Sequence, residues 1–231
     1  MSGGVACDHC CGSLMMSTNI NRVGYWIPEP TRCFRGWHDG AMDIAGWEEK
    51  YRSGDRGSEY APTRLVVEIA EKLAPETAID LACGAGRNAL YLAEQGWAVT
   101  AVDASEKAIE LVQLRSAARG LEVHTKVADL TAPDFTILPG AFDLILIAYY
   151  LQRDLFAKVK PAVRPGGVVA AIAHTPEPGE KWSEKRTRPG ELRGFFNDWE
   201  LLRDYEGPSR DPAHRRPVAE IVARRVAPHV L

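Results

Sequence analysis

Between residues 77 and 173 the spacing of apolar positions switches back and forth between two periods. Short β-favouring runs predict strands, and longer stretches with apolar residues three and four apart predict helices. Residues 77–82, with Ala78, Ile79 and Leu81 apolar, read as a first buried strand. A helix over about 86–95 follows, stopped by Gly96, and residues 98–103 form strand two. Ser105 then offers a helix N-cap, Glu106 sits in the first turn, and Arg115 and Arg119 lie near the C-terminal end before Gly120, which all suits the helix dipole. Strand three spans about 121–127. Strand four, 142–147, is apolar at nearly every position, as a central parallel strand should be. A helix over about 150–160 is broken or bent near Pro161, Arg164-Pro165-Gly166-Gly167 makes a turn, and 168–173 is strand five.

Strands alternating with helices predict a parallel sheet with crossover helices. The end of the chain departs from that rhythm. A short helix begins at Pro189-Gly190-Glu191-Leu192, and residues 199–205 and 218–226 are then two strands in succession, joined by a polar loop. Without a helix between them, they predict an antiparallel hairpin at the sheet edge. Upstream, Pro62 suits the first turn of a helix whose apolar face is Leu65, Val66, Ile69, Ala70 and Leu73, with Pro75 ending it. Trp47 to Tyr51 is a short amphipathic segment, followed by a flexible stretch over 53–58.

The chemistry lies where strand one meets its helix, at Ile79-Asp80-Leu81-Ala82-Cys83-Gly84-Ala85-Gly86-Arg87-Asn88. Glycine in such a turn permits φ > 0 and lets a ligand touch bare backbone. Gly84-x-Gly86-x-x-Ala89 also fits the dinucleotide-binding fingerprint, so the glycines alone leave the ligand open. Asp80, on the strand just before them, decides the matter. It would repel a pyrophosphate and hold a cationic ligand, and S-adenosylmethionine is cationic at its amino group and its sulfonium. Asp103, closing strand two, can accept from both ribose hydroxyls. Cys83 reads as a small buried residue rather than a nucleophile, and Asp143 as a solvated acid at the start of a strand.

Asp80 to Gly86, with Asp103, resembles the first motifs of class I S-adenosylmethionine-dependent methyltransferases. The longer run from Trp47-Glu48-Glu49-Lys50-Tyr51 through Arg87-Asn88-Ala89-Leu90-Tyr91-Leu92-Ala93 is similar to the tellurite-resistance methyltransferase branch, over about residues 46–226. The resemblance implies an α/β fold: a Rossmann-like seven-stranded mixed sheet with helices on both faces and a C-terminal antiparallel hairpin. It implies one methyltransferase domain over 43–231 after an extension over 1–42. It also implies S-adenosylmethionine as cofactor, bound by Asp80, Ala82, Gly84, Gly86, Arg87, Asn88, Asp103, Ala104, Asp129, Leu130 and Ala148. Asp129 would accept from the adenine amino group with Leu130 against the ring, a helix N-cap being the rival role for Asp129. Arg87 opens a helix where its cation is disfavoured, so a compensating carboxylate is expected, with the cofactor's own as the candidate, and Asn88 would fix a neighbouring loop. The segment around Trp47 and Tyr51 would lie over the cofactor as a lid. A His-Arg pair in the last hairpin loop faces the methyl group in that branch. His214-Arg215 is its best match here, given an insertion after Trp199, and would hold an anionic acceptor such as a chalcogen oxyanion or a carboxylate.

Methyl transfer from a sulfonium needs alignment and exclusion of water more than a catalytic dyad. The expected activity is therefore transfer to a small soft or anionic acceptor such as tellurite, selenite or a thiol. The rivals are the same reaction at O, N or C of another small metabolite, a catalytically silent donor-binding protein, and a nicotinamide-dependent oxidoreductase, against which Asp80 and the closing hairpin speak. Tyr149 and Tyr150, after strand four, stand at the mouth, where open α/β sheets bind ligands.

Composition narrows the partners. The 231 residues, 45% of them apolar, suffice for one domain with a core. No apolar run approaches the roughly 18 residues of a membrane span, and the N-terminus shows no basic-then-apolar export signal. The five cysteines, four of them before residue 34, form no disulfide framework across the domain. Cys7, Cys10, Cys11, Cys33 and His38 have zinc-binding chemistry but match no compact zinc module, so residues 1–42 are expected to be a disordered extension without metal, or a chain start placed too early, with Met42 the functional start. A net charge of −3 argues against nucleic acid. The basic excess falls after residue 180, in Lys181, Lys185, Arg186 and Arg188 and in Arg210, Arg215 and Arg216, close to His174 and His214 and near where this fold would admit a substrate. The expectation is a cytoplasmic enzyme on a small molecule, with neither nucleic acid nor membrane as partner, monomeric or homodimeric.

Overall fold

A computed structural model describes residues 43–226 except 59 and 213. The expected extension over 1–42, with its cysteines, His38 and Met42, lies outside the described residues. These residues lie in one compact unit.

Seven strands form one sheet in the order β3-β2-β1-β4-β5-β7-β6. The strands are β1 (Thr77–Leu81), β2 (Ala98–Asp103), β3 (Val123–Val127), β4 (Phe142–Ala148), β5 (Val163–His174), β6 (Glu200–Gly207) and β7 (Val218–Arg224). Strands β1 to β5 are parallel neighbours, while β7 runs antiparallel to both β5 and β6. This is the Rossmann-like mixed sheet that the resemblance implies. Helices α1 (Ile44–Ser53), α2 (Arg64–Ala70), α3 (Arg87–Glu94), α4 (Glu106–Ala118), α5 (Leu155–Ala162) and α6 (Glu191–Gly194) complete the chain.

The near-continuous apolar β4 is explained by two cores, one on each face of the sheet. Ile145 and Ile147 pack into one, with Leu155, Phe156 and Phe196, while Leu144 and Leu146 pack into the other, with Leu65, Leu92 and Trp97. Ser105 caps α4 by accepting from the Ala108 amide at 3.0 Å.

Three local readings are corrected. Pro62 precedes α2, which starts at Arg64 with Thr63 as N-cap. The Arg164–Gly167 stretch is part of β5 rather than a turn before it. Val163 already pairs with Phe142, and the extra residues are taken up by a register shift between Phe142 and Leu144. A Cβ on Gly167 would stand 2.8 Å from the Asp143 carbonyl, so glycine is what lets the strands close there. Asp143 is not simply solvated: its Oδ2 accepts from Thr77 Oγ1 at 2.6 Å and from Arg164 at 2.7 Å, joining three strands. No helix among the described residues is long and apolar enough to cross a membrane.

Candidate active site

The sheet order reverses between β1 and β4, and ligands of open α/β sheets bind in the crevice beyond the carboxyl ends of strands at such a point. The parallel strands β1, β2, β4 and β5 end at this edge. After β1 the chain turns through Ala82 at φ 55 and Gly84 at φ 55 to Gly86 at φ 80, which precedes α3. The two glycines have different reasons to lack a side chain. A Cβ on Gly86 would meet Val112 of α4 at 2.7 Å, so Gly86 allows α3 and α4 to pack. A Cβ on Gly84 would meet the Tyr51 hydroxyl at 2.5 Å, so Gly84 lets Tyr51 of α1 lie directly over bare backbone.

Two carboxylates flank this surface. Asp103, followed by Ala104, accepts from the Gly84 amide at 2.8 Å through Oδ2 and from the Ser105 amide at 2.9 Å through Oδ1, which fixes the orientation of its carboxylate. Burial raises its pKa, opposed by those amides. Asp80 is fully buried, with no hydrogen-bond partner for Oδ2. Burial, and then the charge of Asp103, push its pKa up to about 8, against Arg87 and the Ala89 amide. Asp80 therefore holds its proton near neutral pH, and a cation bound beside the open Oδ2 would favour its ionised form.

The remaining donor-site candidates divide between surface and support. Asn88 is buried, and its Oδ1 accepts from the Thr63 amide at 2.9 Å, so it fixes the start of α2, the loop role expected of it. Arg87 does find a carboxylate, that of Asp211 in the β6–β7 loop, at 2.7 Å. Asp129 folds back on Thr131, accepting from its amide at 2.8 Å, and so caps a turn rather than a helix. Leu130 is buried in the core, its carbonyl accepting from Gln152 at 3.0 Å. Ala148 ends β4 at the mouth. Cys83 is buried, and burial lifts its thiol well above the ordinary range.

The acceptor side is built from rings. Tyr149 follows β4 at φ 61, a left-handed conformation rare for a non-glycine residue. Its ring stacks on His214 at 3.5 Å and lies 5.2 Å from His174, the last residue of β5. Burial lowers the pKa of His214 to about 4, helped by the charge of Arg87. His174 is lowered by burial and then by Arg186. Arg215, next to His214, is exposed. Much of the basic run is already engaged. Arg210 holds Glu68 at 2.6 Å and Glu220 at 3.0 Å, Arg216 holds Glu180 at 3.0 Å, and Arg188 lies over the Trp182 ring. Among the described residues no group of three or more His, Cys, Asp or Glu is placed to hold a metal ion.

Sequence reasoning missed Asp211 and Glu48. The carboxylate of Glu48, on α1, accepts from the Ser105 hydroxyl at 2.6 Å and the Lys107 amide at 3.1 Å, fastening α1 to the start of α4. An acid in an amphipathic helix carries no mark of so distant a partner.

The sequence profile described as Tellurite resistance protein TehB matches residues 48–210. The chain belongs to the TehB family. The Haemophilus influenzae protein named probable S-adenosyl-L-methionine-dependent methyltransferase TehB is 28% identical over 147 residues, covering 59% of this chain and 50% of that protein. Hemagglutinin 1 of Eikenella corrodens is 29% identical over 143 residues, covering 59% of this chain and 48% of that one. The chain thus spans about half the length of these curated relatives. The crystal structure of TehB from Haemophilus influenzae superposes with a TM-score of 0.63 at 25% identity, covering 77% of this chain and 67% of that one. The residues of this crevice fit S-adenosylmethionine: a buried acid in Asp80 whose Oδ2 has no hydrogen-bond partner, side-chain-free backbone at Gly84, and the Asp103 carboxylate closing β2.

Proposed function

We propose that this chain transfers a methyl group from S-adenosylmethionine to a small soft or anionic acceptor, with tellurite, selenite and thiols the leading candidates. The observation that carries the reading is the adjacency of two unlike surfaces. An acid-lined crevice suited to a cationic donor meets a ring-lined mouth of Tyr149, His174 and His214, joined by the Arg87–Asp211 pair.

The bound donor supplies a methyl group already activated by a positive sulfur. The work of the chain is to bind, align and keep water out. Asp103 is placed to hold the ribose, and Asp80 to balance the positive charge. Helix α1, with Tyr51 over Gly84, covers the crevice. His214, neutral at physiological pH, can take a hydrogen bond or a proton from a protic acceptor such as a thiol. An oxyanion needs no proton removed, and the exposed Arg215 offers it a paired donor.

The test is incubation with methyl-labelled donor against tellurite, selenite, thiols and a set of small metabolites. Methylation of a chalcogen oxyanion or a thiol is the expected result. Label found only on an ordinary metabolite would overturn the acceptor assignment. Donor binding without transfer to any member would count against the enzymatic reading itself.

A further inference from the structure

Asp211 lies in the β6–β7 loop with its side chain only 5% exposed. Its Oδ2 accepts from Arg87 at 2.7 Å and from the Tyr149 hydroxyl at 3.0 Å. Its carbonyl accepts from the His214 amide at 3.0 Å, and its own amide donates to Ser209 Oγ at 3.1 Å. One residue thus touches the helix that follows the donor glycines, the ring that follows β4 and the histidine of the acceptor mouth.

Two unfavourable local conformations meet at this carboxylate. Tyr149 sits at φ 61, where side chains with a Cβ are strained, although its amide is held by the Ile172 carbonyl at 2.8 Å. Arg87 places a cation at a helix N-terminus, against the dipole. The Asp211 carboxylate answers both, as the acceptor for the phenol and the counter-charge for the guanidinium.

We propose that Asp211 is a positioning residue that fixes the Tyr149–His214 ring pair at the acceptor mouth and ties it, through Arg87, to the donor loop. The proposal rests on the methyl-transfer reading for its purpose, but not for its test. Five groups act on the His214 imidazole: Arg87 from α3, the Tyr149 ring after β4, His174 from β5, Arg56 from the segment after α1, and Asp211 from its own loop. As a bare charge, Asp211 favours the imidazolium, so losing it would drive the His214 pKa lower still. As an anchor, it keeps the imidazole out of water, so losing it would let the pKa climb back toward about 6.5. The two roles predict opposite signs.

The experiment is an NMR titration of the His214 ring in the full chain and in Asp211→Asn. Because a lone buried Arg87 could unfold the single variant, R87Q/D211N is titrated alongside, and Tyr149→Phe removes only the phenol. Circular dichroism and a cooperative thermal transition report that each variant is folded. The expected result is a His214 pKa that rises toward the ordinary value in Asp211→Asn relative to wild type and in the double variant relative to R87Q, because loss of the Arg87 charge raises it by itself, and that moves the same way by less in Tyr149→Phe. On any acceptor that is turned over, kcat should fall by about tenfold or more, beyond any change in KM. A His214 pKa that falls or stays put in the folded variants overturns the proposal, whether or not an acceptor has been found.

Discussion

The Tyr149 ring lies flat against the His214 imidazole, centroids 3.5 Å apart and planes 5° from parallel. Stacking withholds one face of the imidazole from water, and burial is the largest reason that the His214 pKa falls to about 4. His174, with its ring 5.4 Å from that of His214, is lowered for the same reason. The mouth therefore presents neutral imidazoles at physiological pH.

That relationship sets a pH dependence. His214 titrates lower folded than unfolded, so between about 6.5 and 4 the unfolded chain binds more protons and stability drops as the pH falls. The contribution is complete above the unfolded value and lost on acidification through that window. His214→Asn should flatten this part of a plot of melting temperature against pH. An identical slope in the variant would mean that His214 is not held neutral by the fold.

Asp80 works in the opposite direction. Its folded pKa, about 8, lies above its unfolded value, so the folded state binds the extra proton. The stabilisation is complete below the unfolded value and is lost as the pH rises through about 8. Asp80→Asn should therefore resist alkaline melting better than wild type while binding S-adenosylhomocysteine, by calorimetry, about tenfold or more weakly. Unchanged affinity would remove Asp80 from the donor site.

Glu48 is the fastening of α1. The Ser105 hydrogen bond is the main cause of its lowered pKa, opposed by partial burial and aided by the Lys107 amide and Arg52. Glu48→Ala should cost about 1–3 kcal/mol of stability and quicken donor release by loosening the cover over Gly84. Faster hydrogen exchange along α1 in the variant is the direct measurement. Exchange equal to wild type would show that α1 is held by other contacts.

These examples mark what a sequence can and cannot disclose. Strand β2 and the Ser105 cap were legible because both rest on local patterns, a run of β-favouring residues and an oxygen one residue before a helix. Gly84 and Gly86 were legible as a tight strand-to-helix turn, although their separate duties, facing Tyr51 and facing Val112, depend on elements far along the chain. The Arg87 partner was foreseen as a carboxylate but not as Asp211, 124 residues away. Arg164-Pro165-Gly166-Gly167 has the composition of a turn, and only pairing with β4 makes it strand. Charge runs misled for a similar reason: Arg210 looks free until Glu68 and Glu220 fold against it.

The same distinction separates the arginines of the β6–β7 loop. Arg210 lies between Glu68 and Glu220, and its hydrogen bond is the largest cause of the fall in the Glu68 pKa to about 2. Arg210→Met should lower stability by about 2 kcal/mol and leave acceptor KM unchanged. Arg215 is exposed and follows His214 in the chain, so its substitution should act on the acceptor rather than on stability. A guanidinium meets an oxyanion with two parallel donors, and lysine cannot reproduce that fork. Arg215→Lys should therefore raise the KM of an oxyanion acceptor by about tenfold while melting temperature and donor affinity stay put. His214→Ala should cut single-turnover methyl transfer by about a hundredfold if the imidazole takes a proton from the acceptor, and less if it only orients it. Comparing a thiol with an oxyanion separates these roles, because the thiol needs the proton removed and the oxyanion needs the guanidinium. Wild-type turnover of both acceptors by both variants would place the β6–β7 loop outside the reaction.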